Sequence, residues 1–289
     1  MTMPGLLAFH AHPDDEVIST GGVLATYAER GEQTVVITAT DGAEGEIHNY
    51  DDPDAIRPRL AEVRAEEVKA SMEILGNVKQ EFLGYRDSGM MGEDSNLHPN
   101  AFWQANLEDA VAKLIHRIRA HRPEVMIIYD PFGGYGHPDH INVHRVGLAA
   151  WYASTDLADY PLLDGEEPWQ PPKLYWTAWP RSRVRAFSQI RLERGDITTE
   201  EHERMQSAGI PDEQITCFVD VSKMVDRKIA ALRAHRSQIP EDWFMLTIPE
   251  DYRTSVVGRE GFVRVFSLVD APAVEDDLFS GLRESADQA

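Results

Sequence analysis

The stretch Gly5-Leu6-Leu7-Ala8-Phe9-His10-Ala11-His12-Pro13-Asp14-Asp15-Glu16 decides how the chain is read. Residues 5–9 form a short apolar run of strand length, and residues 17–30 follow with helical patterning. Between them lies a polar turn broken by Pro13. The same unit recurs downstream. Residues 34–40 are rich in β-branched side chains and predict a second buried strand. Over residues 57–75, Leu60, Val63, Val68, Met72 and Leu75 fall at helical spacing. Residues 78–83 give a weaker third strand, and Leu107, Val111, Leu114, Ile115 and Ile118 mark another amphipathic helix. Pro123 leads into a clear strand over 125–129, and a helix follows over 138–154. This rhythm predicts right-handed crossovers and an α/β fold, with a mainly parallel sheet covered by helices on both faces.

The pattern changes beyond Leu157. Residues up to 172 are rich in Pro, Asp and Glu and predict a surface connection, followed by a strand over 174–179. Residues 219–238 contain a helix, with Val221, Met224, Val225, Ile229 and Leu232 on one side. The tail after Ala271 is acidic and is expected to be mobile. One domain is expected over 1–289. Its catalytic core is 1–155, and 156–289 is a C-terminal α/β extension packed over that core and contributing to the pocket.

A chain of 289 residues can bury a sizeable core, and 42% hydrophobic with 27% charged residues is ordinary for a globular protein. The 49 acidic against 28 basic residues give a formal charge of -21, which repels phosphate backbones and anionic lipid. Nucleic acid and membrane surfaces are therefore poor partners; a homo-oligomer is compatible with the sequence. Cys217 is the only cysteine, so neither an intrachain disulfide nor a zinc site of several thiolates can form. The start of the chain has no basic segment and no long apolar run, and no later stretch approaches the ~20 apolar residues of a membrane span. A cytoplasmic location is expected.

Four polar segments follow the four predicted strands. They are His10-Ala11-His12-Pro13-Asp14-Asp15-Glu16, Asp41-Gly42-Ala43-Glu44-Gly45-Glu46, Tyr85-Arg86-Asp87-Ser88-Gly89-Met90 and Tyr129-Asp130-Pro131-Phe132-Gly133-Gly134-Tyr135-Gly136-His137-Pro138-Asp139-His140. A parallel sheet puts all four on its ligand-binding edge. Imidazole and carboxylate without thiolate suit zinc or a similar ion. His12, Asp15 and His140 can supply three ligands, with Asp14 free as a general base and His137 or Tyr135 as oxyanion donors. Spacing alone keeps two rivals open: His144, four residues after His140, and His10, two before His12.

Blander readings compete. The His-Pro-Asp-Asp segment alone could be a helix-capping turn, and Arg64, inside an apolar stripe, could extend its head to solvent. Gly21-Gly22 reads as close helix packing, and Gly133-Gly134 as a tight loop. His48, His98, His116, His121 and His235 have no partner at informative spacing, and Trp103, Trp151 and Trp243 read as packing aromatics.

His12-Pro13-Asp14-Asp15-Glu16 together with His137-Pro138-Asp139-His140 resembles the LmbE-like, or PIG-L, deacetylase family, most closely its mycothiol-pathway members. The likeness runs over roughly the first half, with an echo at Lys173-Leu174-Tyr175-Trp176. It implies a Rossmann-like fold and one zinc per chain held by His12, Asp15 and His140, ferrous iron being chemically compatible. It further implies Asp14 as general base and proton donor to the departing amine, and His137 as oxyanion donor with Asp139 orienting its ring. Tyr135 would be a mobile group at the mouth, and Arg64, Asp87 and Met90 substrate contacts; Glu46 is added as a weaker substrate or supporting contact. The implied reaction is deacetylation of an N-acetylglucosaminyl-type glycoside such as N-acetylglucosaminyl-inositol. Rival functions are an amidase of a larger amide such as a mycothiol S-conjugate, a two-metal phosphoesterase drawing on His10, His144 and Asp130, and a sugar binder without catalysis.

Overall fold

The computed structural model describes residues 5–282. The sequence before residue 5, and the acidic tail after residue 282, lie outside the described residues. The strands are β1 (Gly5–His10), β2 (Gln33–Thr40), β3 (Lys79–Tyr85), β4 (Val125–Ile128), β5 (Lys173–Ala178), β6 (Cys217–Asp220) and β7 (Arg259–Ser267). The helices are α1 (Asp15–Glu29), α2 (Pro53–Ile56), α3 (Leu60–Leu75), α4 (Leu107–His121), α5 (Pro138–Ala153), α6 (Arg181–Arg194), α7 (Thr199–Met205), α8 (Val225–Ala234) and α9 (Glu250–Val257).

These strands form one sheet in the order β3-β2-β1-β4-β5-β7-β6. The first five run parallel, and β7 and β6 add an antiparallel edge. Alternation along β1 shows why both faces are covered. Leu6 and Ala8 join the apolar cluster that includes Val23 and Leu24 of α1, Val68 and Met72 of α3 and Ile229 and Leu232 of α8. Leu7 and Phe9 join the opposite cluster with Leu114 and Ile118 of α4 and Val143 and Val146 of α5. This is the mainly parallel, Rossmann-like α/β architecture expected, reversing strand order between β1 and β4.

The second half both lengthens the sheet and packs over it, through β5, β7 and β6 and through α8 against α1 and α3. Two expectations are corrected. The helix expected within 219–238 is α8, but it begins only at Val225, so Val221 and Met224 precede it in the turn that follows β6. The segment after Ala271 is not loose as far as Leu282: Leu278 and Phe279 are buried, and Glu275 accepts hydrogen bonds from Lys173 and from the Tyr175 hydroxyl (2.8 Å). Arg119, also buried, donates to the carbonyls of Ser154, Asp156 and Tyr160 and so fastens the start of the Pro-rich connection. Among the described residues, no helix is long and apolar enough to cross a membrane.

Candidate metal centre and active site

The parallel strands end together, so the four polar segments meet at one edge. The turn after β1 carries His12 and enters α1 at Asp15, while His137 caps α5 and His140 lies in its first turn. Three atoms from these turns form a triangle. His12 Nδ1 lies 3.3 Å from Asp15 Oδ2, His140 Nε2 lies 3.3 Å from the same oxygen, and the two ring nitrogens are 3.3 Å apart. Tetrahedral ligands bonded at about 2.0–2.1 Å stand about 3.3–3.4 Å from one another. The donor set therefore fits one small divalent cation with a place left open. His137 also brings a ring nitrogen within 4.8 Å of those of His12 and His140.

Supporting hydrogen bonds orient each donor. His140 Nδ1 faces the Gly133 carbonyl at 3.1 Å, which leaves Nε2 its lone pair for the triangle. His12 Nε2 faces Asp139 Oδ2 at 3.2 Å and Asp87 Oδ1 at 3.4 Å, which turns Nδ1 inward. Asp15 Oδ2 accepts the His12 backbone N–H at 2.8 Å. Burial disfavours charge on His12, but Asp87, Asp139 and Asp15 outweigh it and raise the imidazole pKa well above its ordinary value. Burial likewise disfavours charge on Asp15, and His140 and His12 override it and hold that carboxyl well below the usual range. Such a surplus of negative charge around buried imidazoles is what a cation satisfies.

Asp139 departs from expectation. Its carboxylate serves His12, and it also accepts from the Ser88 N–H (2.9 Å) and the Ser88 hydroxyl. What orients His137 is the Asp139 backbone N–H, donated to Nδ1 at 3.1 Å. The helix cap thus requires Nδ1 as acceptor and leaves Nε2 as the protonated nitrogen. Burial, with His12 and His140 adding to it, lowers the His137 pKa to about 3, so its ring is a neutral donor.

Asp14 lies beside the triangle, 3.2 Å from Arg64 Nη2. Burial raises its pKa to about 6 against the opposing pull of Arg64. Arg64 is buried rather than extended to solvent, and donates to the carbonyls of Gly42 (2.8 Å) and Pro13 (2.6 Å). Asp87 is also buried, accepting from the N–H groups of Gly89 (2.9 Å) and Glu44 (3.2 Å). Met90 and Glu46 stand at the rim, Glu46 facing His48 at 3.2 Å. Tyr135 is 57% exposed, with its hydroxyl 3.5 Å from His140 Nε2.

The rivals stay outside the triangle of donor atoms. His10 bonds the Tyr129 hydroxyl (2.8 Å) and Thr20 (3.0 Å), His144 bonds the Tyr129 carbonyl (2.9 Å), and Asp130 accepts from the N–H groups of Phe132 and Gly134. Those three do not assemble a second metal set. Gly133, at φ 64°, packs where a Cβ would meet the Cβ of His140 and stand 2.7 Å from its carbonyl carbon. Gly133→Ala is therefore expected to displace His140 and lower metal affinity about 10–100-fold, measured by competition with a chelating dye.

All of this opens into a cavity of about 890 Å³. Its far wall comes from the second half: Trp176, Trp179, Val184, Ile210, Gln214 and Val263. The sequence predicts that 156–289 contributes to the pocket but does not single out these residues as its lining, because such residues look like core. Glu16, the last residue of the His12–Glu16 motif, has no role of its own in the sequence analysis, and His235 has no informative partner there; both are buried behind Asp14.

Four strand-end loops that bring imidazole and carboxylate together define an α/β protein with a buried site that could hold a metal ion. Comparison with known proteins narrows the class. The PIG-L family, described as GlcNAc-PI de-N-acetylase, matches residues 7–151. The 1D-myo-inositol 2-acetamido-2-deoxy-alpha-D-glucopyranoside deacetylase of Geodermatophilus obscurus is 39% identical, over 96% of this chain and 97% of that one. The enzyme of the same name from Thermomonospora curvata is 40% identical, over 96% and 95%. The chain belongs to the PIG-L family and is a deacetylase, a hydrolase of amide C–N bonds. Among solved structures, the N,N'-diacetylchitobiose deacetylase from Pyrococcus horikoshii superposes with a TM-score of 0.64, covering 99% of this chain and 89% of that one. At 21% identity, that likeness concerns the fold.

Proposed function

We propose that the protein removes the acetyl group from an N-acetylglucosaminyl-type glycoside, such as N-acetylglucosaminyl-inositol, with one zinc per chain held by His12, Asp15 and His140. The observation that carries this reading is the 3.3 Å triangle with Asp14 beside it, in a chain 39–40% identical to relatives named as such deacetylases. Bound there, zinc would supply a water acidified to a pKa of about 7 and a Lewis acid for the carbonyl oxygen. Ferrous iron suits the same donors.

Asp14 accepts the proton of the attacking water and returns it to the departing nitrogen. His137, neutral and protonated on Nε2, donates to the developing oxyanion, and Tyr135 reaches the same place from its glycine-flanked loop. Asp139 holds His12, and through its own N–H holds His137. Arg64, Asp87, Met90 and Glu46 form the near wall that meets the sugar or polyol. We assign 1–289 to one cytoplasmic domain, in which 1–155 carries the catalytic loops and 156–289 completes the pocket.

One observation favours a second reading. The apolar far wall of Trp176, Trp179, Val184, Ile210 and Val263 suits an amidase of a larger amide, such as a mycothiol S-conjugate. The deciding measurement compares acetate release from N-acetylglucosaminyl-inositol with turnover of such a conjugate by the zinc-loaded enzyme. Acetate release is expected to dominate; turnover of the conjugate alone would move the assignment to the amidase.

A further inference from the structure

We infer that Glu16 and His235 form a buried support that holds Asp14 in its working position, and that both are positioning residues for the reaction. The inference rests on Asp14 being the general base. Asp14 sits at φ 136° and ψ -30°, a conformation that a residue with a side chain keeps only when its surroundings impose it. Two groups impose it here. Arg64 grips the Pro13 carbonyl and the Asp14 carboxylate from one side. From the other, Glu16 Oε2 accepts the Asp14 backbone N–H at 3.0 Å.

The second oxygen of Glu16 explains His235. Glu16 Oε1 lies 3.0 Å from His235 Nε2, and both residues are wholly shielded from water. With no water to turn to, that oxygen depends on the buried ring beside it. Burial disfavours charge on the imidazole, but Glu16 and then Asp14 outweigh it and raise its pKa, while Arg64 pulls the other way. His235 Nε2 thus meets Glu16 Oε1 at ion-pair distance, while its Nδ1 has no hydrogen-bond partner among the described residues. His235 ends α8, and the next turn is fastened to α3, where Glu67 accepts from the Ser237 N–H (2.7 Å) and hydroxyl (2.6 Å). Neither Glu16 nor His235 lines the cavity, so any effect on turnover passes through their neighbours, Asp14 or Asp15, and bound metal tells the two apart.

The test uses the full-length, zinc-loaded enzyme and reads kcat, KM, bound metal and Tm together. Glu16→Ala is expected to lower kcat roughly 100-fold, with KM and metal content little changed. Glu16→Gln keeps an acceptor for the Asp14 amide and needs no counter-charge, so it should restore kcat to within about threefold of the parent. His235→Leu should lower kcat roughly tenfold by itself, but less than about twofold in the Glu16→Gln background. That dependence on background is what a merely structural role does not produce, and it stands even if Glu16→Ala fails to fold. Equal losses from His235→Leu in both backgrounds, or losses that track lost metal, would overturn the inference. Full turnover by Asp14→Asn would instead remove the base assignment itself, whatever the Glu16 variants do.

Discussion

Asp14→Asn is expected to keep its metal and lose about 10²–10⁴-fold in kcat, the range that a positioned general base supplies. Asparagine matches the shape of aspartate and can still accept from Arg64, so the turn should hold. Asp14 is outside the 3.3 Å triangle of donor atoms, so metal content should stay near one per chain. Elemental analysis and acetate release on the same sample separate the two effects. Turnover near that of the parent would exclude Asp14 as the base. Asp14→Gly adds a second reading of the same position. Glycine adopts positive φ without strain, whereas such a conformation costs other residues about 1–3 kcal/mol. The glycine variant should be inactive yet no less stable than the parent by urea denaturation. That combination marks strain retained for chemistry.

What the sequence revealed follows from how far apart the cooperating residues are. The first four strands and the helices between them each declare themselves within a short window, as with Val68, Met72 and Leu75 on the buried side of α3. The polar segments were legible for the same reason, since each sits beside its own strand and the parallel topology does the gathering. Longer-range structure was not. In α6 only Phe187 and Ser188 are buried, so no apolar stripe announces it. In β7, Glu260 and Gly261 interrupt the pattern of a buried strand. His235 has no local companion because its partner, Glu16, lies at the opposite end of the sequence. The family resemblance assigns Asp139 to the ring of His137, its neighbour in sequence, whereas its carboxylate reaches across to His12. The wall of Trp176, Trp179 and Val263 could not be told from core until the cavity beside it was visible.

Glu260 should prove one of the least replaceable residues outside the active site. Its carboxylate accepts the backbone N–H groups of Gly22 (2.8 Å) and Val23 (2.9 Å), in the middle of α1. Lys228, from α8, donates to the same carboxylate at 2.6 Å and to the Ile18 carbonyl at 3.0 Å. The Ile18 carbonyl and the Gly22 N–H are the two ends of one regular helical turn, so the ion pair engages both ends of that turn. This gives Gly22 its reason, since a Cβ there would stand 2.7 Å from Val221 Cβ and 2.8 Å from Glu260 Oε1. Glu260→Ala strands a buried ammonium and removes the acceptor of two buried amides, an imbalance that typically destabilises by about 3–5 kcal/mol. The urea midpoint reads that loss. Glu260→Gln/Lys228→Met, which removes both charges and keeps one acceptor, should recover part of it. A change below about 1 kcal/mol in Glu260→Ala would mean that water or a shifted Lys228 replaces the pair. Ile18 and Ser19 line the cavity one turn beyond Asp15, so an α1 that relaxes here also loosens the wall beside the metal site.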